Sequence, residues 1–106
     1  MLIAAALIVL HVPDGNSLKA RRRVASAVKE RIRGRFKVSV AEVGDAEDRH
    51  EVVLGCALVG VKPAAMRERL ERVIRFVEDS GIAEVTADDI TVVRLDELPE
   101  LEEEAS

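Results

Sequence analysis

Between positions 17 and 37 this 106-residue chain carries nine of its 16 basic residues: Lys19, Arg21, Arg22, Arg23, Lys29, Arg31, Arg33, Arg35 and Lys37. The only acid there is Glu30, so the segment holds +8 in a chain of net charge −4, and the remainder holds −12. Cations at this density suit the binding of phosphate. Each neutralised phosphate releases counterions, and arginine offers a planar fork that matches phosphate oxygens. At about 100° per residue, Lys19, Arg22, Arg23, Lys29 and Arg33 gather within roughly 120° of one helix surface, with Ser26 and Glu30 among them. These five are the candidate nucleic-acid-binding residues. Ser17, Leu18 and Lys19 open that helix, where free N–H groups can receive a phosphate. Two other readings stand beside RNA. One is a solvated face whose charge is met by acids elsewhere, including the stretch Asp96 to Glu104; the other is an acidic protein partner.

Other chemistries find less support. The carboxylates Glu42, Asp45, Glu47, Asp48 and Glu51 cluster around one connection and could hold a cation or do acid–base work, but solvated turn carboxylates are far commoner. His11 and His50 are the only histidines, and neither belongs to a metal-ligand spacing. Ser17, Ser26, Ser39 and Ser80 lack a nucleophile-elbow context, and no glycine pattern matches a phosphate loop or dinucleotide fingerprint. The expectation is a non-enzymatic protein with no cofactor, no metal and no identifiable small-molecule substrate. Phe36 and Phe76 are the only aromatics, with no Trp or Tyr. The sheet-face stacking of bases used by common RNA-recognition modules is therefore excluded, and RNA contact would fall to the helix face.

Cys56 is the single cysteine, so no internal disulfide or cysteine-built zinc site can form, and its place in the apolar run Val52 to Val61 reads as a small buried hydrophobe. The apolar opening Met1 to Leu10 is about half the length of a membrane span and is followed at once by His11, Pro13 and Asp14. It lacks a basic leader and a small-residue cleavage site. These features point to a reduced, cytoplasmic protein without a membrane partner.

The elements that must position these residues can be read from periodicity. Leu2 to Val12 is a continuous apolar run closed by Pro13-Asp14-Gly15-Asn16, which predicts a central strand. Asn16 or Ser17 then caps a helix to about Arg35, with Leu18, Val24, Ala25, Val28 and Ile32 as its packed face. Phe36 to Val43 and Glu51 to Val61 predict two strands of an antiparallel hairpin. Lys62-Pro63 opens a second helix, in which Met66, Leu70, Val73, Ile74 and Val77 follow helical spacing up to Gly81. Ile82 to Thr86 begins an extended segment, broken at Ala87-Asp88-Asp89, with Ile90 to Leu95 the firmer strand. The order predicts an α+β, ferredoxin-like βαββαβ fold: a four-stranded antiparallel sheet with two helices on one face. Residues 1–95 form the single domain, and 96–106 an acidic, mobile tail.

A sheet covered on one side should alternate apolar and polar residues. This one does not. In the first strand, Leu2, Ala4, Ala6, Ile8 and Leu10 oppose Ile3, Ala5, Leu7 and Val9. In the third, Val52, Leu54, Cys56 and Leu58 oppose Val53, Gly55, Ala57, Val59 and Val61. Two helices can cover only one such face, and an uncovered apolar patch marks association. A homodimer is therefore expected through the open face, with Val53, Gly55, Ala57 and Val59 as interface residues.

Ser17-Leu18-Lys19-Ala20-Arg21-Arg22-Arg23 resembles the Ser-Leu-Lys-x-Lys-Arg that opens the first helix in the YlxP-like family of small, uncharacterised bacterial proteins. Phe36-Lys37-Val38-Ser39-Val40-Ala41-Glu42-Val43 is similar to its Phe-Asn-Val-Ser-x-Ala-Glu-Val, and Leu54-Gly55-Cys56-Ala57 to its Leu-Gly-x-Ala. The resemblance extends to about Leu95 and implies a ferredoxin-like fold. Members often lie beside translation-initiation and ribosome-maturation genes, which implies work near the ribosome. This chain departs from the pattern in having Arg49-His50 where a Trp-Gln pair is common, Arg21 where Lys is usual, and an acidic tail. The combined expectation is a cytoplasmic protein that contacts structured, ribosomal RNA or ribosome-associated partners through its basic first helix. The alternative is a protein–protein adaptor or homo-oligomeric assembly module that uses the open sheet face.

Overall fold

The computed structural model describes residues 1–13, 18–44 and 50–95. Its elements run β1 (Leu2–His11), α1 (Leu18–Arg35), β2 (Ser39–Glu42), β3 (Glu51–Gly60), α2 (Pro63–Ser80) and β4 (Glu84–Arg94). The four strands form one antiparallel sheet in the order β2-β3-β1-β4. That order with two helices is the α+β, ferredoxin-like arrangement expected from the periodicity. Both candidate caps of α1, Asn16 and Ser17, lie outside the described residues, as do Asp45, Glu47 and Asp48 of the connection and the whole of the tail 96–106.

The alternation of β1 decides the core. Its even-numbered residues Leu2, Ala4, Ala6, Ile8 and Leu10 are buried, together with Val52, Leu54 and Cys56 of β3. Val28 and Ile32 of α1 and Leu70, Val73 and Val77 of α2 close over them. Pro63 sits in the first turn of α2, where its missing N–H costs no helix bond. Gly81 ends that helix at φ 73°, a left-handed backbone that glycine adopts without a Cβ penalty. Ser80 Oγ donates to the Val77 carbonyl and accepts from the Ile82 amide, closing the last turn.

Two strands and one helix-face assignment differ from expectation. The hairpin's first strand begins at Ser39 rather than Phe36, because the Phe36 amide still donates to the Ile32 carbonyl and its ring turns toward α2. β4 runs unbroken through Ala87-Asp88-Asp89, which pair with Val9, Ile8 and Leu7. On an edge strand those aspartates reach water without interrupting the ladder. The irregularity lies at Thr86, which is skipped as the register passes from Val9↔Ala87 to Leu10↔Val85. Such an insertion is how a strand absorbs one extra residue. Leu18, assigned to the packed face of α1, is instead 53% exposed. Arg21, one turn further on, takes the buried place.

Candidate nucleic-acid interface

Four buried residues orient α1: Arg21, Ala25, Val28 and Ile32. Their i, i+4, i+7, i+11 spacing makes one stripe, so the stripe's position fixes where every other cation points. Arg21 is only 6% exposed. Its Nε and one terminal nitrogen donate to the Glu51 carbonyl oxygen at 3.3 and 3.1 Å, tying the first turn of α1 to the start of β3. Lysine could not make that two-pronged contact, since it lacks the planar head. By residue type Arg21 is one more cation of the segment, and nothing in its type reveals this structural role. The signal lay in its spacing, since position 21 falls within the arc spanned by the apolar residues of the helix.

With Arg21 facing inward, Lys19, Arg22 and Arg23 are exposed or half-exposed on the outer side of α1. Lys29 is half-buried on the same flank. Arg33 is exposed along its length but donates to the Val40 carbonyl at 2.8 Å. Its guanidinium therefore already serves edge strand β2 and brings that strand to the helix. The five expected residues thus share one flank of α1 without sharing one role, because three heads stand in solvent while Arg33 clips a strand. Arg33 and Arg35 also lie in the last turn of α1, where positive charge complements the helix dipole.

The other flank of α1 falls outside that stripe. There Arg35 sits with its guanidinium carbon 5.2 Å from the centre of the Phe76 ring. Phe36 meets the same ring edge-on, with centroids 5.5 Å apart at 73°. Arg72 and Arg75 of α2 complete this edge of the helix layer. The two aromatics of the chain, forty residues apart in sequence, are therefore neighbours in space.

On the opposite side of the sheet, Val53, Gly55 and Ala57 are half-buried and Val59 is 65% exposed. They face away from the helices, in register with Val9, Leu7, Ala5 and Ile3. Leu7 is 48% exposed, and Val93, which pairs with Ile3 on β4, is 47% exposed. A shallow groove of about 560 Å³ crosses this face over Ala5, Leu7, Ala41, Gly55, Ala57 and Thr91. Its floor is low because of Gly55. A Cβ there would lie 3.1 Å from a Val43 methyl.

Burial pushes the Cys56 thiol up to about 11 from its ordinary value of 9.0, which fits a small hydrophobe in the core and not a reactive group. His11 and His50 stack with ring centroids 6.3 Å apart, beside the point where the Val12 amide donates to the His50 carbonyl. Of the hairpin carboxylates that are described, Glu42 is exposed and Glu51 half-buried. Among the described residues no three of His, Cys, Asp and Glu converge as a metal site would require, and no helix is long and apolar enough to cross a membrane.

Comparison with known proteins adds a family. The chain is 29% identical over 65 residues to the uncharacterized protein YlxP of Bacillus subtilis (strain 168), a match covering 61% of this chain and 71% of that one. A family model described as "Protein of unknown function (DUF503)" matches residues 3–90, which take in β1 through most of β4. With the greater part of its length matched, the chain belongs to the DUF503 family, the family of the YlxP-like proteins.

Proposed function

We propose that this is a non-enzymatic, cytoplasmic RNA-binding protein that docks structured RNA, ribosomal in the first instance, through the outer flank of α1. The observation that carries the reading is the outward placement of Lys19, Arg22 and Arg23 on a helix whose first turn is held to the sheet by the buried Arg21. A row of cations on a fixed helix meets phosphates without an ordering cost for the backbone, and it reads backbone shape rather than base sequence. Co-sedimentation with ribosomal particles across a salt series tests it. Retention at physiological salt is expected, falling steeply as salt rises. The double reversal Arg22→Glu and Arg23→Glu should abolish it while melting is unchanged, because neither side chain belongs to the core. Retention of the reversed variant would overturn the assignment.

A second reading rests on the open sheet face, where Leu7, Val59 and Val93 are each about half exposed or more. Its occupant in this reading is a second copy of the chain. At the centre of the face Ala5, Ala57 and Ser39 lie side by side in the register without a charge. Asp89, which pairs with Leu7, leaves one carboxylate at the β4 edge of that face, so two copies must meet over its uncharged centre, and the two helix layers then point outward on one particle. Seven residues of each of β1, β3 and β4 with the four of β2 give a footprint of roughly 400 Å², small beside a standard interface. The dimer should therefore dissociate on dilution. In sedimentation velocity, Ala57→Lys should be monomeric at every concentration and retain RNA binding. A wild-type protein that stays monomeric at high concentration would remove the second copy from this face.

A further inference from the structure

Five side chains from the two helices and the residue after α1 converge where the C-terminal end of α1 meets the flank of α2: Arg35, Phe36, Arg72, Arg75 and Phe76. They line a cleft of about 510 Å³, and among the described residues Asp79 is the one carboxylate at its wall. Three guanidinium groups against one carboxylate leave the cleft positive. Its volume lies in the range of small-ligand sites. The aromatic part is equally specific. Phe36 braces Phe76 edge-on, and the Arg35 guanidinium carbon lies over the Phe76 ring, 5.2 Å from its centre, so the cation is set against an aromatic ring. A guanidinium held against a ring in this way has part of its rotamer freedom restricted before a base arrives.

We propose that this cleft takes one unpaired nucleotide of the RNA that α1 docks, its base stacked on the Arg35 guanidinium and its phosphate held between Arg72 and Arg75. The inference rests on the RNA reading above and adds a specificity to it. Arg72 and Arg75 are three residues apart on α2 and therefore project from neighbouring turns, a spacing that lets two forks share one phosphate. Asp79 can accept from an amino group of the base or from the ribose 2′-hydroxyl. A base inside a duplex cannot reach such a platform, whereas a bulged or looped base can. The site therefore selects RNA with an unpaired base near a helical segment that α1 can ride. Stacking is lent here by an arginine, which reconciles base recognition with a chain that has only two aromatic residues.

The test uses the full chain and two RNAs. One is a duplex of about 16 base pairs, and the other is the same duplex carrying a single bulged 2-aminopurine. Fluorescence anisotropy gives the affinity, and the 2-aminopurine signal reports stacking. The wild type should bind the bulged RNA about tenfold tighter than the plain duplex, with the 2-aminopurine quenched. In Arg35→Lys, which keeps the charge and loses the plane, the bulged RNA should bind no tighter than the plain duplex. Arg72→Gln with Arg75→Gln should weaken the bulged RNA more than the plain one. Equal affinity for both RNAs in the wild type, or a preference that survives Arg35→Lys, overturns the cleft. If the Arg22→Glu, Arg23→Glu reversal still weakens both RNAs in that case, the α1 reading stands without it. Failure of the wild type to bind either RNA at low salt overturns both.

Discussion

β1 and α1 depart from the usual match between residue type and burial, and they do so in opposite senses. In β1, Ile8 is fully buried while Leu7 beside it is 48% exposed, so the strand shows water a side chain as apolar as those in its core. In α1, Arg21 is 6% exposed while Arg22 beside it stands in solvent, so the helix buries a residue as charged as those on its surface. The strand's exception has no use within the described fold, because Leu7 faces away from both helices. The helix's exception is used within it, because Arg21 satisfies a carbonyl of β3 from the first turn of α1. An apolar side chain outside points to association, and a cation inside points to architecture. Residue type alone separates neither case.

The strand comparison breaks most sharply by charge. Ile8→Asp places a carboxylate where the exposure is 0% and should cost about 4 kcal/mol or more, a large share of the stability of a domain of this size. Leu7→Lys, one residue away and opposite Asp89, should leave the stability measured in urea within about 0.5 kcal/mol of the parent while disfavouring self-association. Equal losses in the two would mean that the face assigned to solvent is packed. The helix comparison is smaller. Arg21→Met keeps the bulk and removes both donors to the Glu51 carbonyl, which should cost about 1–3 kcal/mol in chemical denaturation. Arg22→Met should be nearly silent in the same measurement. An Arg21→Met protein as stable as the parent would show the contact to be dispensable.

The smallest effect concerns pH. The folded protein keeps the Cys56 proton up to about pH 11, whereas the unfolded chain releases it near its ordinary value of 9.0. Above that ordinary value the unfolded state binds fewer protons, so stability falls as pH rises toward 11 and is unaffected below 9. Cys56→Ala lacks that titration. The gap in urea midpoint between parent and variant should therefore narrow between about pH 9 and pH 11. A gap that stays constant would mean that the thiol titrates alike in both states.

Much of the fold was legible because its signals are local. The run Leu2 to Leu10, the turn residues after it, Pro63 at the start of α2 and Gly81 at its end each act within a few residues, and the element order followed from them. The misplaced boundaries depended on contacts distant in sequence. Phe36 leaves its strand for Phe76, and β4 continues through two aspartates because β1 is already there to pair with them. The stripe Lys19, Arg22, Arg23, Lys29 and Arg33 was legible as a helical arc. The diversion of Arg33 to Val40 and the cluster of Arg35 with Arg72 and Arg75 were not, since each needs a partner from another element.

The order of residues is enough to say which positions are apolar, where the chain turns, and that one helix carries most of the positive charge. Those properties belong to single residues and their near neighbours. Three outcomes waited on the assembled molecule: which apolar face of β1 became the core, which arginine went inside, and which cations met the two phenylalanines. Each depends on how helices lie across a sheet, and burial is a property of the whole packing. Two equally apolar faces compete for one pair of helices, and a strand read alone cannot say which of them will be covered.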